Sequence, residues 1–221
     1  MPDPAQPTQP TGKRLLKPAA AVSLILAAIY ANEDGYTNDP HDAGGETNWG
    51  VTKAVARAAG YAGPMRAFPQ HCSPNAPVCA DLIYTHQYID RSGYTTFLTI
   101  EPAIGAKLAD TAVNMGPAKA NCFWRSIVRR QVLECAKPAV MAGFGKPLTD
   151  ADVIPYISMQ VHVGKVAACE ATLQNLATLQ RSEYERLIRA RPANVKYRNG
   201  WLARAAKLHP GPQPIPCGVA G

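Results

Sequence analysis

One stretch constrains how the chain folds more than any other. Between residues 19 and 31, Val22, Ile25, Leu26 and Ile29 fall at i, i+3, i+4 and i+7, the spacing of one apolar helical face. The run then gives way at once to EDGYTNDPHDAGGETNWGVT, residues 33–52, a polar loop carrying several acids and two adjacent glycines. Gly44 and Gly45 permit positive φ and a tight return, so the loop is expected to fold back over the end of the helix.

Glu33 lies four residues after Ile29, which sets it at the edge of the apolar face if the helix continues for one more turn. A carboxyl against apolar walls keeps its proton to higher pH, which is what donation to a leaving sugar oxygen requires. Glycosidic cleavage also needs a carboxylate, or a polar group that fixes a water, on the other side of the scissile bond. Asp39, Asp42 and Thr47 are the candidates, and Tyr36 and Trp49 offer flat faces on which a sugar ring stacks. An ordinary solvated acidic turn is the plain alternative. The DxxD spacing does not continue as a calcium loop, so no metal is expected.

The same residues carry a resemblance. Glu33, Gly35, Tyr36, Asp39, Pro40, Asp42, Gly44, Gly45, Thr47, Asn48, Trp49, Gly50 and Thr52 match, without a gap, the pattern E-G/D-G-Y-x-x-D-P-x-D-x-G-G-x-T-N-W-G-(I/V)-T of the glycoside hydrolase 108 family. That family comprises lysozyme-like muramidases common among phage endolysins. The resemblance implies that Glu33 is the general acid. For Asp39, Asp42 and Thr47 it carries over position only.

Composition narrows the partners. The chain has 221 residues, 47% hydrophobic and 18% charged, with a formal net charge of +7, so it is globular and favours anionic partners. Nucleic acid, a membrane surface and the anionic polymers of a bacterial envelope all fit that charge. No zinc-finger spacing, phosphate-binding loop or helix-turn-helix pattern supports nucleic acid, and no cofactor is implied. Cys72, Cys79, Cys122, Cys135, Cys169 and Cys217 form an even set without CxxC, which reads as up to three disulfides in an oxidising compartment. Cys72 with Cys79 is the expected local pair. Six buried free thiols in a reducing compartment are the alternative.

Taken in order, residues 1–18 read as a polar, proline-rich tail, and 19–145 as the catalytic domain. Lys13, Arg14 and Lys17 before the apolar run also resemble an export signal, but the run is too short to span a bilayer comfortably, and a retained core helix is the preferred reading. Helices are expected over 52–59, 78–91, 104–115 and 118–136, the last as the central core helix, and a short hairpin is expected between Tyr36 and Gly50. Asp110 and Asn114 lie four apart on the 104–115 helix; the family's D-x-x-x-N-x-G pattern implies that they line the substrate cleft. An i, i+4 helix pair without function is the alternative.

Thr149 is the expected cap of a helical segment that runs to residue 190. Arg181, Tyr184, Pro192, Tyr197, Gly200, Trp201 and Arg204 resemble the small peptidoglycan-binding region joined to the same family's catalytic part. That implies a C-terminal helical, wall-binding region over 146–208, although as bare residues Trp201 and Leu202 equally pack a closing helix. Residues 209–221 form a tail. The expectation is an all-α, lysozyme-like, monomeric protein without stable membrane insertion. It would act on bacterial peptidoglycan in the periplasm or outside the cell, at the bond between N-acetylmuramic acid and N-acetylglucosamine, in a phage endolysin or a secreted bacterial effector. Three other readings stay open: a lytic transglycosylase, a chitinase-like activity, and a non-catalytic wall-binding protein.

Overall fold

A computed structural model describes residues 18–31, 35–38, 45–131 and 133–219. Glu33, Asp39, Asp42 and the N-terminal tail 1–17 lie outside the described residues.

The protein is mainly α-helical, as expected. Helix α1, Pro18–Tyr30, leads into a two-stranded antiparallel hairpin, β1 Thr47–Asn48 and β2 Val51–Thr52. Helices α2 Lys53–Ala58, α3 Ala80–Tyr84, α4 Phe97–Ile100, α5 Pro102–Met115, α6 Pro117–Val128 and α7 Pro138–Phe144 follow. The chain closes with α8 Asp150–Val163, α9 Lys165–Ala190 and α10 Arg198–Ala206. Thr52 caps α2 by accepting from the Val55 N–H at 3.3 Å, and α3 runs directly into a wide π-helical turn, Thr85–Asp90.

The central helix is α5, not the one that follows it. Every residue from Pro102 to Ala112 is buried, with α1, α4, α6 and α9 packed around it. The face that α1 turns inward is Ala21, Ile25, Ala28 and Ile29, all fully buried or nearly so, while Val22 and Leu26 lie at its flanks. The hydrophobic spacing therefore located the helix correctly and rotated it by part of a turn. On the α5 side Gly105 faces this helix, where a Cβ would stand 3.7 Å from Ile25 Cδ1.

Two other expected helix bounds change. The 118–136 segment leaves helical geometry at Val128, and Arg130 takes a left-handed φ of 49°. The chain then turns back so that Cys135 reaches Cys122. The 149–190 segment is two helices, broken at Gly164. At the start of α8 the Thr149 N–H donates to Asp152 Oδ2 at 3.1 Å, so the expected cap is present.

All six cysteines pair: Cys72–Cys79, Cys122–Cys135 and Cys169–Cys217. The first is the expected local pair, and the third ties the C-terminal tail to α9. That tail also packs on α1. Gly211 has φ 104°, and a Cβ there would stand 2.9 Å from the Ala28 Cα, so glycine is required on both counts.

Ion pairs cross the expected boundary near residue 145. Arg125 on α6 holds both oxygens of Asp152 on α8 at 2.8 and 2.9 Å, and Lys119 on α6 meets Glu183 on α9 at 2.9 Å. Trp124, fully buried, lies edge-on between Phe97 and Tyr156 and donates its indole N–H to the Asp152 carbonyl.

Candidate active site

The described part of the site is built on the hairpin. Thr37 and Thr47 exchange both backbone hydrogen bonds, at 2.9 and 3.0 Å. Thr47 also pairs with Thr52, and Asn48 with Val51. The two residues of the turn, Trp49 and Gly50, have φ of 54° and 73°. That is the conformation a two-residue hairpin favours, because its twist matches that of the strands. Gly50 adopts it without strain, whereas Trp49 is held there by its surroundings.

Three contacts do the holding. The Trp49 indole N–H donates to the Phe68 carbonyl at 3.1 Å. The Tyr84 hydroxyl donates to the Trp49 carbonyl at 2.8 Å. Buried Asn48 donates to the Met65 carbonyl at 2.8 Å. The turn is thus pinned both to the 65–68 segment and to α3. Trp49 is half-buried against the core, an anchor for the turn as well as a surface.

Above the hairpin, the Tyr36 hydroxyl donates to Glu46 Oε1 at 3.0 Å, and Lys53 meets Glu46 Oε2 at 3.0 Å. Lys53, and after it Tyr36, holds the Glu46 carboxyl below its ordinary pKa, so it is ionised at neutral pH. The Arg66 guanidinium lies over the Tyr36 ring, 4.3 Å from its centroid. Glu46 is the residue the sequence reading missed. A signal was present: a turn at Trp49-Gly50 sets Glu46 opposite Lys53 across the strands, one step beyond Thr47 and Thr52, and opposite charges in that register attract.

The last turn of α1 is fixed from another side. The Tyr30 hydroxyl donates to Asp81 Oδ1 at 2.6 Å, and His71 Nδ1 lies 2.9 Å from Asp81 Oδ2. Burial, then this hydrogen bond, pushes the Tyr30 pKa far above its ordinary value, so the phenol stays a donor. These groups line a cleft of about 350 Å³ beside α1.

The structure brings together Tyr36, Thr47 and Trp49, and it separates them from Asp110. The Asp110 side chain is 1% exposed and pairs with Arg204 of α10 at 3.0 Å, on the side of α5 that docks the C-terminal helix. Asn114, exposed one turn later, donates to the Asp110 backbone carbonyl at 2.6 Å. The two side chains do not share a cleft-facing surface. Among the described residues, one trio has metal-ligand proximity, Glu101 with Cys169 and Cys217, and both of its sulfurs are spent in a disulfide.

Comparison with known proteins locates the resemblance. The family described as Glycosyl hydrolase 108 matches residues 26–116. No curated protein sequence matches the chain. Among solved structures, that of Brucella abortus SagA is similar at 18% identity, with a TM-score of 0.47, over 86% of this chain and 92% of that one. The family match begins within α1, takes in the acid-bearing loop and the hairpin, and stops just after α5, so residues 26–116 are the part of the chain that is similar to the glycoside hydrolases of family 108.

Proposed function

We propose that the protein cleaves bacterial peptidoglycan by hydrolysing the β-1,4 bond between N-acetylmuramic acid and N-acetylglucosamine. Glu33 donates the proton to the leaving oxygen. Asp42, or Asp39, steadies the positive charge that develops on the cleaved sugar or activates the attacking water, and Thr47 orients that water. Tyr36 and Trp49 flank the sugar.

The observation that carries this reading is the family match over 26–116, which takes in the entire acid-bearing loop. The hairpin supports it physically. Thr47 is fixed by main-chain bonds to both Thr37 and the facing strand, and the neighbouring Glu46 contributes a fixed negative charge.

Residues 146–208 are proposed to add wall affinity. Trp201 is stacked between Tyr184 and Tyr197, at 5.0 and 5.5 Å, and Lys196 lies over the Tyr197 ring. Tyr197 is 47% exposed and gives this stack an outer face. Three disulfides fit a working place in the periplasm or outside the cell.

The test is mass spectrometry of purified peptidoglycan digested by the protein and, in parallel, by Glu33→Gln. Reducing muramic-acid ends that vanish in the variant are expected. Anhydro ends would make it a transglycosylase, and intact glycan with retained wall binding would end the enzymatic reading.

A further inference from the structure

The groove between α9 and α10 has two unlike walls. It encloses about 670 Å³. On α9, Gln174, Thr178, Arg181, Glu185 and Arg189 follow one another at steps of four, three, four and four residues, which makes one polar stripe along the helix. On the other side Leu202, Ala205 and Ala206 of α10, with Leu208 just past its end, form an aliphatic wall. Among the described residues, no aromatic side chain lines the groove.

The charges on the stripe are not equally committed. Glu185 is held by Arg198 of α10, whose guanidinium donates to Oε1 at 2.6 Å. Arg181 and Arg189 lie one helical turn to either side of it, are exposed, and make no hydrogen bond or ion pair among the described residues. Ser182 adds a hydroxyl between them. Along α9 the two arginines start about 12 Å apart, at ~1.5 Å per residue. The groove therefore offers two open guanidiniums on one wall and small apolar contacts on the other.

We propose that this groove binds the stem peptide of peptidoglycan, a short alanine-rich chain that carries free carboxylates. The proposal rests on the reading that the wall is the substrate, and the chemistry of the groove selects which part of the wall it takes. A guanidinium grips a carboxylate through two parallel N–H donors. An extended peptide covers about 3.4 Å per residue, so carboxylates roughly three or four residues apart reach both arginines. Between them, alanine methyl groups lie against Leu202, Ala205 and Leu208.

A glycan strand is held by flat aromatic faces, which this groove lacks. Those faces belong to the separate stack of Tyr184, Trp201 and Tyr197. A phosphate polymer would engage the two arginines and leave the aliphatic wall without a partner. Cutting the glycan does not alter the peptide. A stem held in this groove thus keeps the protein on the wall through a part that its proposed reaction leaves intact.

The experiment is calorimetric titration of the full-length protein with the soluble stem tetrapeptide L-alanyl-γ-D-glutamyl-meso-diaminopimelyl-D-alanine, and with the same peptide amidated at its carboxylates. Binding of the free acid is expected, with the amide weaker by about ten-fold or more. Arg181→Gln/Arg189→Gln should weaken binding of the free acid by about ten-fold or more at an unchanged melting temperature. No binding of the free acid, equal binding of the amide, or undiminished binding by the double variant would each overturn the proposal. Displacement of the tetrapeptide by a chitin tetrasaccharide would also overturn it, because the groove would then be a sugar site. The amide comparison uses the wild-type protein, so it decides the matter even where the double variant does not fold. Release of reducing ends from peptidoglycan is read separately. Cleavage without tetrapeptide binding would remove this site and leave the proposed activity standing, whereas tetrapeptide binding without cleavage would support the site and end the enzymatic reading.

Discussion

The Asp110 carboxylate on α5 accepts a hydrogen bond from Arg204 Nε on α10 at 3.0 Å, across a seam where Asp110 is 1% and Arg204 14% exposed. One turn earlier, Lys107 donates to the carbonyls of Ala205 and Lys207 at 3.3 and 2.7 Å. Burial lowers the Lys107 pKa to about 8, against the pull of Asp110. The closing helix is thus docked on the central one by polar groups that have given up their water.

Removing one partner from this seam leaves a desolvated charge. Arg204→Met should lower the unfolding free energy by about 3–5 kcal/mol, read from urea denaturation, with the midpoint moving and the slope unchanged. Below its melting range the variant should keep the wild-type rate on peptidoglycan. A large loss of turnover at unchanged stability would return Asp110 to the substrate cleft and bring Arg204 there with it.

Glu101 makes stability depend on pH near neutrality. Its side chain is fully buried at the start of α5, accepts from the Gly218 N–H at 3.1 and 3.2 Å, and has its pKa raised by burial to about 7. The folded state therefore binds the proton more tightly than the unfolded state. The stabilisation is fully present below about pH 4.5 and is lost as pH rises through about 7. Thermal melts from pH 5 to pH 8 should show a falling contribution of about 2–3 kcal/mol from this group. Glu101→Gln, still able to accept from Gly218, should remove most of that slope.

The disulfides differ in how much chain they close. Cys169–Cys217 joins residues 48 apart, and Cys72–Cys79 joins residues 7 apart. Constraining the unfolded chain favours the longer loop, at about 4 kcal/mol against about 2.5 kcal/mol. Cys169→Ala/Cys217→Ala should lower the melting temperature more than Cys72→Ala/Cys79→Ala does. Equal losses in the two variants would show that the tail contributes through its packing on Ala28 and Glu101, not through closure.

The fold was largely legible because helical periodicity and punctuation agree. The apolar run of α1, Thr149 before α8 and the Gly116-Pro117 stop after α5 all stand where their chemistry implied. What periodicity could not reveal was which helix sits at the centre. Lys107, Asp110 and Thr111 make α5 look half-solvated in sequence, yet all three are buried: Lys107 and Asp110 bond to the C-terminal segment, and the Thr111 hydroxyl donates back to the Lys107 carbonyl of its own helix. The same cause misdirected the reading of Asp110. An acid four residues before an amide looks like part of a cleft until a distant arginine, 94 residues later, occupies it. Glu46 was overlooked because its meaning lies in strand register, which a two-residue strand barely signals.

Tyr36 offers the most direct test of that hairpin. Its hydroxyl fixes Glu46, and its ring carries Arg66 at 4.3 Å, so the two functions separate by substitution. Tyr36→Phe keeps the ring and the guanidinium above it but frees one carboxylate oxygen, while Lys53 still holds the other. Modest mispositioning of a group beside reacting atoms costs on the order of ten-fold in rate. The expected result is a several-fold fall in kcat for Tyr36→Phe with KM little changed. Tyr36→Ala also removes the surface for the sugar and the seat of Arg66, so kcat/KM should fall by on the order of 100-fold. Steady-state release of reducing ends from peptidoglycan measures both. A Tyr36→Phe variant indistinguishable from wild type would mean that Glu46 is held well enough by Lys53 alone and that the ring, not the hydroxyl, is what the site uses.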